Sequence, residues 1–282
     1  MDEIPVIIVH FGNQPYVKLC LQQALKYNKN VININERDDM FPELNVKCVS
    51  YSKYNKNAEK FQPLYKHYSS NSPQLELICI LRWMYVYEYM YKHKISKAFI
   101  CDSDVLIYDN ISNIHNEYLS NYDYMLCTSG SKNITGGQSI WTIDKLQKFI
   151  LFIVKFYKTQ INNMEQFYKT YNEAGGICDM TLLYYFSHNA SEFVGLRLPD
   201  YPYFKNDLTQ IFNNEFTFDL HMRTSGNHIY PEDYEMDGTN KNIKFIDNKP
   251  YCYCKRLDKN IRFVLLHFQG SNKRIMPNFV RL

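Results

Sequence analysis

The sequence of 282 residues has no long apolar run, no large excess of one charge and no regular spacing of cysteines. Its longest apolar segment, Phe149 to Tyr157, is interrupted by Lys155 and is too short to cross a bilayer. The first residues, MDEIPVIIVHFGN, are acidic where an export signal needs positive charge. We therefore predict a soluble protein without a signal peptide or a membrane span.

Charge and cysteine usage narrow the class of protein further. The net charge is only +3, and basic and acidic residues are interspersed, so the sequence does not predict a nucleic-acid partner. The eight cysteines are scattered, and the closest pair, Cys252 and Cys254, alternates along a predicted strand. This pattern is neither a zinc ligand set nor a disulfide framework, and it favours a cytoplasmic location.

The apolar content of 45% and the 25 tyrosines are typical of a folded protein. Apolar runs at Val6 to His10 and Val31 to Ile34 flank a segment with helical spacing, so the chain begins as a βαβ unit. This pattern predicts an α/β fold whose central sheet is mixed, mostly parallel and flanked by helices. Further elements are predicted as a long loop (50 to 72), helices (75 to 89, 143 to 157, 180 to 186) and strands (124 to 127, 138 to 141, 216 to 220, 251 to 254, 263 to 268).

Two aspartates interrupt the apolar stretch AFICDSDVLIYD, at Asp102 and Asp104. They lie just past the carboxyl end of a predicted strand, which is where open α/β sheets bind ligands. Two anions so close together repel each other, so either the pair is solvated or a positive group lies between them. An oxygen-ligand site for Mg²⁺ or Mn²⁺ would satisfy the second alternative.

The C-terminal stretch LHFQGSNK contains residues that could bind a metal or a phosphate beside the two aspartates. His267 follows a predicted strand and offers a neutral nitrogen ligand at the same edge of the sheet, although a histidine there can also be purely structural. Gly270 permits close approach of the backbone to a ligand, and Lys273 offers a charge for a phosphate.

Together, AFICDSD and HFQGSNK resemble the motifs of metal-dependent glycosyltransferases of the GT-A fold. The tail is similar to the His-x-x-Gly-x-x-Lys signature of the glycogenin and lipopolysaccharide galactosyltransferase family, although Arg274 and Ile275 replace its usual Pro-Trp. The resemblance implies Mn²⁺ (or Mg²⁺) as cofactor, bound by Asp102, Asp104 and His267. It implies a nucleotide-sugar donor, with a UDP-sugar favoured, and a glycan or other hydroxyl acceptor.

The same resemblance implies the rest of the site. It describes one domain over 1–282, with a nucleotide-sugar-binding half to about residue 108 and an acceptor half that carries the tail. It assigns the following residues to the donor: Val9, His10, Phe11, Glu36, Arg37, Arg82, Asp102, Ser103, Gly136, Gly137, Gly270 and Lys273. Arg82 could instead form a surface ion pair, and Gly136 and Gly137 could form a simple turn.

Asp179 is the candidate catalytic residue, because it begins a predicted helix after two glycines. If the enzyme inverts, Asp179 would be the general base, and if it retains, Asp179 would orient the acceptor or the sugar. The alternative is an ordinary helix N-cap. Two other functions stay open: a phosphatase of the haloacid-dehalogenase type and a non-catalytic carbohydrate-binding GT-A domain. A nucleotidyltransferase is disfavoured, because FGNQPY is not a glycine-rich basic loop.

Overall fold

The computed structural model describes residues 3–128, 134–160, 163–171, 175–188, 206–227 and 229–282. Its strands are β1 (Val6–Val9), β2 (Val31–Asn35), β3 (Lys47–Ser50), β4 (Lys97–Asp102), β5 (Val105–Ile107), β6 (Tyr124–Thr128), β7 (Ile134–Thr142), β8 (Phe216–Thr217), β9 (Met236–Asp237), β10 (Asn240–Lys241), β11 (Lys244–Ile246), β12 (Lys249–Cys254), β13 (Lys259–Phe263) and β14 (Leu265–His267). Its helices are α1 (Pro15–Tyr27), α2 (Lys56–Phe61), α3 (Pro73–Lys92), α4 (Ile111–Ile114), α5 (Ile143–Thr159), α6 (Met164–Tyr171) and α7 (Asp179–Ser187).

The central sheet has the strand order β3-β2-β1-β4-β7-β6. The first four strands are mutually parallel, and β7 runs antiparallel to both β4 and β6. The predicted α/β class, with a mixed and mostly parallel sheet between helices, is therefore confirmed. The register pairs Val9 with Asp102, so the carboxyl ends of β1 and β4 meet at one edge of the sheet.

Apolar side chains fill both faces of this sheet, as expected of strands that are buried on both sides. Ile7 and Ile100 face the core formed with α3, α5 and α7, whereas Ile8 and Phe99 face the core formed with α1 and the C-terminal strands. Successive residues of a strand point to opposite faces, so one apolar run serves two cores.

The C-terminal strands return the chain to the edge that carries the aspartates. Strand β14 pairs antiparallel with β5, with His267 opposite Val105. The strands β11, β12, β13 and β8 form a separate four-stranded sheet. The pairing of β14 with β5 places His267 beside the turn that contains Asp104.

Some predicted boundaries are wrong. The predicted loop from 50 to 72 contains α2 and two 3₁₀ turns, at Tyr51–Tyr54 and Gln62–Leu64, which are too short to produce a sustained helical period. The strand predicted from 263 to 268 is two strands, because β13 ends at Phe263 and β14 begins at Leu265. Across the described ranges, no helix combines the length and the apolar character needed to cross a membrane.

Candidate active site

The two aspartates and His267 come together at the carboxyl edge of the sheet. Asp102 is the last residue of β4, Asp104 lies in the turn before β5, and His267 ends β14. One potential ligand atom from each of these side chains lies within 4.8 Å of the others. The three residues assigned to the metal by sequence are therefore neighbours in the fold.

Two cationic side chains compensate the charge of Asp104. Lys273 Nζ is 2.7 Å from Asp104 Oδ2, and His267 Nε2 is 3.3 Å from Asp104 Oδ1. Burial would raise the pKa of Asp104, but the charges of His267 and Lys273 outweigh it and lower the pKa. Burial likewise opposes charge on His267, but Asp104 and Asp102 raise its pKa to about 9.

His267 is held in one orientation by groups behind it. Its Nδ1 is 2.7 Å from the carbonyl oxygen of Leu220, which can only accept, so Nδ1 donates and Nε2 faces the aspartates. Its backbone N–H donates to Asp219 Oδ2 at 3.0 Å. Asp219 in turn forms a fully buried ion pair with Lys241 at 2.7 Å. Supporting hydrogen bonds of this kind orient metal-binding histidines.

The donor atoms fit a divalent cation. Asp104 Oδ1 is buried and makes no hydrogen bond within the described part of the chain, although buried carboxylate oxygens normally have a partner. Two carboxylates and one imidazole nitrogen form a donor set suited to Mn²⁺ or Mg²⁺. Asp104 Oδ1 lies 3.3 Å from His267 Nε2, so Asp104 and His267 would hold a cation together once Nε2 has lost its proton.

Arg82 joins the aspartate pair to Asp179. One guanidinium nitrogen donates to Asp102 Oδ1, and the other donates to Asp179 Oδ2 at 2.7 Å. Burial would lower the pKa of Arg82, but the charges of Asp102 and Asp179 outweigh it and raise the pKa. Only 14% of the Arg82 side chain is exposed, so its ion pair with Asp179 is not a surface pair, whereas the Asp102 side chain is 31% exposed.

Asp179 is the first residue of α7, and the N-cap is Cys178. Its carboxylate also accepts from Trp83 Nε1 at 3.4 Å, so its side chain faces α3 and does not cap α7. Glu76 lies next to it and is almost fully buried. Hydrogen bonds from Ser69 and Asn71 hold the Glu76 carboxylate, and burial raises its pKa.

A cavity of about 290 Å³ opens over this cluster. Four of the predicted donor residues line it beside the charged groups already described: Val9, His10, Phe11 and Ser103. His10 Nε2 donates to Gln14 Oε1, so its Nδ1 accepts from the Ser103 hydroxyl at 2.7 Å. Burial lowers the pKa of His10, which favours the neutral imidazole.

Other predicted donor residues do not line the cavity. Glu36 Oε1 accepts from the backbone N–H of Gly12 at 2.7 Å, and Arg37 lies 3.6 Å from Asp39 with most of its side chain exposed. Gly270 has a φ of +64° and starts the 3₁₀ turn that carries Lys273. Glu36, Arg37 and Gly270 are therefore not among the described residues that line the cavity.

Gly136 and Gly137 lie on β7 and not in a turn. A Cβ atom on Gly137 would lie 2.8 Å from Asp102 Oδ2, whereas a Cβ atom on Gly136 would lie 2.4 Å from the Trp83 ring. Gly137 thus leaves room for the Asp102 carboxylate, and Gly136 leaves room for the Trp83 ring in the core.

Sequence reasoning missed five residues that line the cavity, namely Gln14, Tyr16, Leu75, Ile78 and Cys79. The last three share one face of α3 with Arg82, since positions 75, 78, 79 and 82 follow the helical repeat. That spacing is a signal that could have found them. Tyr16 lies in the first turn of α1, and Lys273 Nζ is 5.5 Å from the centre of its ring.

No family model and no curated protein matches the chain. Mouse xyloside xylosyltransferase 1 in its apo form is 12% identical, with a TM-score of 0.45 over 67% of this chain and 83% of its own. The galactosyltransferase LgtC with donor and acceptor sugar analogues is 10% identical, with a TM-score of 0.37 over 64% and 69%. A cytidylyltransferase from Leptospira borgpetersenii is 12% identical, with a TM-score of 0.34 over 58% and 71%. At these sequence identities and TM-scores, the activity has to be argued from the residues of the site.

Proposed function

We propose that this protein is a metal-dependent glycosyltransferase of the GT-A type, which transfers a sugar from a nucleotide-sugar donor to a hydroxyl acceptor. The convergence of Asp102, Asp104 and His267 within 4.8 Å, beneath a cavity that Lys273 also lines, carries this proposal. Mn²⁺ or Mg²⁺ is the proposed cofactor, a UDP-sugar is the favoured donor, and a glycan or another hydroxyl-bearing molecule is the proposed acceptor.

The charged residues fit the departure of a nucleoside diphosphate. A divalent cation held by Asp102, Asp104 and His267 would neutralise the negative charge that develops on the diphosphate. Lys273, 2.7 Å from Asp104, would add a second positive charge at the same place. Ser103 donates to His10, and its oxygen retains the capacity to accept from a hydroxyl of the nucleotide sugar.

Asp179 is the carboxylate that we propose for catalysis, although its side chain lies behind Arg82 and does not itself line the cavity. Arg82 fixes its position relative to Asp102, because one guanidinium group binds both carboxylates. In an inverting reaction Asp179 would accept the proton of the acceptor hydroxyl, and in a retaining reaction it would orient the sugar or the acceptor. No specific observation in the described residues favours a phosphatase.

The test is a binding and turnover screen of the full chain. We expect Mn²⁺ together with UDP to raise the melting temperature, and one member of a UDP- and GDP-sugar panel to be hydrolysed slowly in the presence of Mn²⁺. EDTA should abolish both effects. Absence of stabilisation and of hydrolysis across the whole panel would rule out the proposal, and phosphate release from simple phosphomonoesters would favour a phosphatase instead.

A further inference from the structure

Two neighbouring surface cavities lie along the C-terminal half of α3, where α2 and α5 flank it. Their volumes are about 360 Å³ and about 390 Å³. Both are lined by Tyr87, Tyr91 and Gln147, so they form one continuous depression, which we term the α3 groove.

The α3 groove is separate from the candidate active site. Arg82 lies at the active site, and Tyr91 lies nine residues further along α3, which is about 13 Å at the rise of an α-helix. The described linings of the groove and of the active-site cavity have no residue in common. A ligand in the groove would therefore not compete directly with a sugar donor.

Aromatic and aliphatic surface is unusually exposed in the groove. Tyr91 is 70% exposed and Leu151 is 62% exposed, and both line the cavity of about 360 Å³. The rings of Tyr87 and Tyr91 lie 6.1 Å apart and are inclined by 32°. Adjacent large apolar side chains left in water are typical of a binding surface.

Lysines surround these rings. Lys53, Lys56, Lys60 and Lys92 line one cavity, and Lys94 lines the other. Of these five, only Lys53 has a carboxylate within ion-pair distance among the residues that the structure describes.

Two carboxylates also line the groove, on Glu88 and Asp144. Glu88 already accepts from the backbone N–H groups of Lys56 and Asn57. With five lysines and two carboxylates, the lining is clearly positive, so it complements a ligand that carries negative charge.

We propose that the α3 groove binds an acidic glycan, that is, a chain of sugar rings with sparse carboxylate or phosphate groups. Tyrosine faces can pack against the C–H faces of sugar rings, and the amides of Asn57 and Gln147 can bind hydroxyls. The lysines supply contacts for the acidic groups. This inference does not depend on the proposed transferase activity.

The other anionic ligands fit less well. A nucleic acid carries one phosphate per nucleotide, which would bring charge against Glu88 and Asp144, and no arginine is among the described residues that line the two cavities. A bilayer is flat on this scale, whereas the groove is concave. We therefore treat single-stranded DNA and vesicles as competing outcomes of the test.

The test is isothermal titration calorimetry with the full chain. The probes are a hyaluronan octasaccharide, which carries a carboxylate on every second sugar, dextran phosphorylated on a minority of its sugars, and neutral dextran. We expect one or both acidic glycans to bind more tightly than neutral dextran, and the affinity to fall with salt. Lys56→Gln/Lys60→Gln and, separately, Tyr91→Ala should each weaken binding about tenfold.

The matched control is Lys244→Gln/Lys259→Gln, which removes the same charge at two exposed lysines that do not line the groove. The control should bind like the unaltered chain, and melting curves should show that all variants fold. Equal losses in groove and control variants, no binding of either acidic glycan, or binding only to a single-stranded DNA oligomer or to phosphatidylglycerol vesicles would each overturn the proposal.

Discussion

Asp104 is the more buried of the two aspartates, and its Oδ1 atom lacks a hydrogen bond within the described residues. Asp104→Asn keeps the shape of the side chain but removes its charge. We expect Mn²⁺ affinity to fall by more than about 100-fold, because a carboxylate that coordinates the metal contributes more than residues that only orient a ligand. Titration calorimetry with Mn²⁺ measures this loss.

The control for Asp104→Asn is Asp237→Asn, an equally conservative change at an exposed position on β9. It should leave Mn²⁺ affinity unchanged. If Asp104→Asn also bound Mn²⁺ normally while remaining folded, Asp104 would not be a ligand, and the proposed metal site would be wrong.

The protonation of His267 predicts a pH dependence. Burial disfavours its charge, but Asp104 and Asp102 raise its pKa from 6.5 to about 9, so the metal-free protein carries a proton on Nε2 at neutral pH. A cation needs that lone pair and must displace the proton. We expect Mn²⁺ affinity to increase from pH 6 to pH 8, by at most about tenfold per unit.

The raised pKa of His267 also makes the stability of the metal-free protein depend on pH. A raised pKa stabilises the fold at low pH, and this contribution disappears as the pH rises from 6.5 towards about 9. In EDTA the melting temperature should therefore decline over this range. His267→Gln, which cannot titrate, should flatten both profiles, and an unchanged pH dependence in this variant would assign the effect to another group.

At the scale of elements, two adjacent glycines on β7 offer a matched pair of substitutions. Gly136→Ala would place a Cβ atom 2.4 Å from the buried Trp83 ring, and we expect a loss of about 1–3 kcal/mol in the free energy of unfolding. Gly137→Ala would place a Cβ atom 2.8 Å from Asp102 Oδ2, which can shift by rotation of its side chain. We expect this variant to lose Mn²⁺ affinity with a smaller loss of stability.

Urea denaturation and Mn²⁺ titration of both variants separate the two effects, and each variant serves as the control for the other. The reverse pattern, in which Gly136→Ala weakens Mn²⁺ binding and Gly137→Ala unfolds the protein, would contradict this assignment of the two faces of β7.

The outcome for single elements shows what sequence can predict. The strand ending at Asp102 and the helix around Arg82 follow from local periodicity, because each buries a regular pattern of apolar residues. The position of Asp102 at the sheet edge follows from the rule that open α/β sheets bind ligands at the carboxyl ends of their strands. The short helix α2 was missed, since six residues do not establish a period.

The pairing of residues that are distant in the chain was less predictable. The predicted strand before His267 placed it at the same edge of the sheet, but the complete metal site came from a resemblance, because the register of β14 against β5 is set by packing. The bridge from Arg82 to Asp102 and Asp179 depends on how α7 packs beneath α3. No local pattern indicates such a contact, and Arg82 was consequently assigned to the donor, with a surface ion pair as the alternative.

At the scale of the whole molecule, one buried ion pair joins the C-terminal segments to the site. Lys241 Nζ donates to Asp219 Oδ1 at 2.7 Å and to the carbonyl oxygen of His221 at 2.8 Å. Asp219 also accepts from the backbone of His267. Because its two partners come from separate segments, the pair stabilises the arrangement of these segments around His267.

Lys241→Met would leave the Asp219 carboxylate buried without its counter-ion. We expect a loss of about 3–5 kcal/mol in the free energy of unfolding, since an uncompensated buried charge is far more destabilising than an absent pair. Urea denaturation measures this loss, and Lys244→Met, at an exposed lysine nearby in the chain, is the control.

A second substitution distinguishes charge from packing. Asp219→Asn in the Lys241→Met background removes the unpaired charge but keeps an oxygen that can accept from the His267 backbone. We expect the double variant to be more stable than Lys241→Met alone, because no buried charge remains. If it were less stable, the lysine would act through its packing and not through its charge, and the ion pair would not be what holds the C-terminal segments against the site.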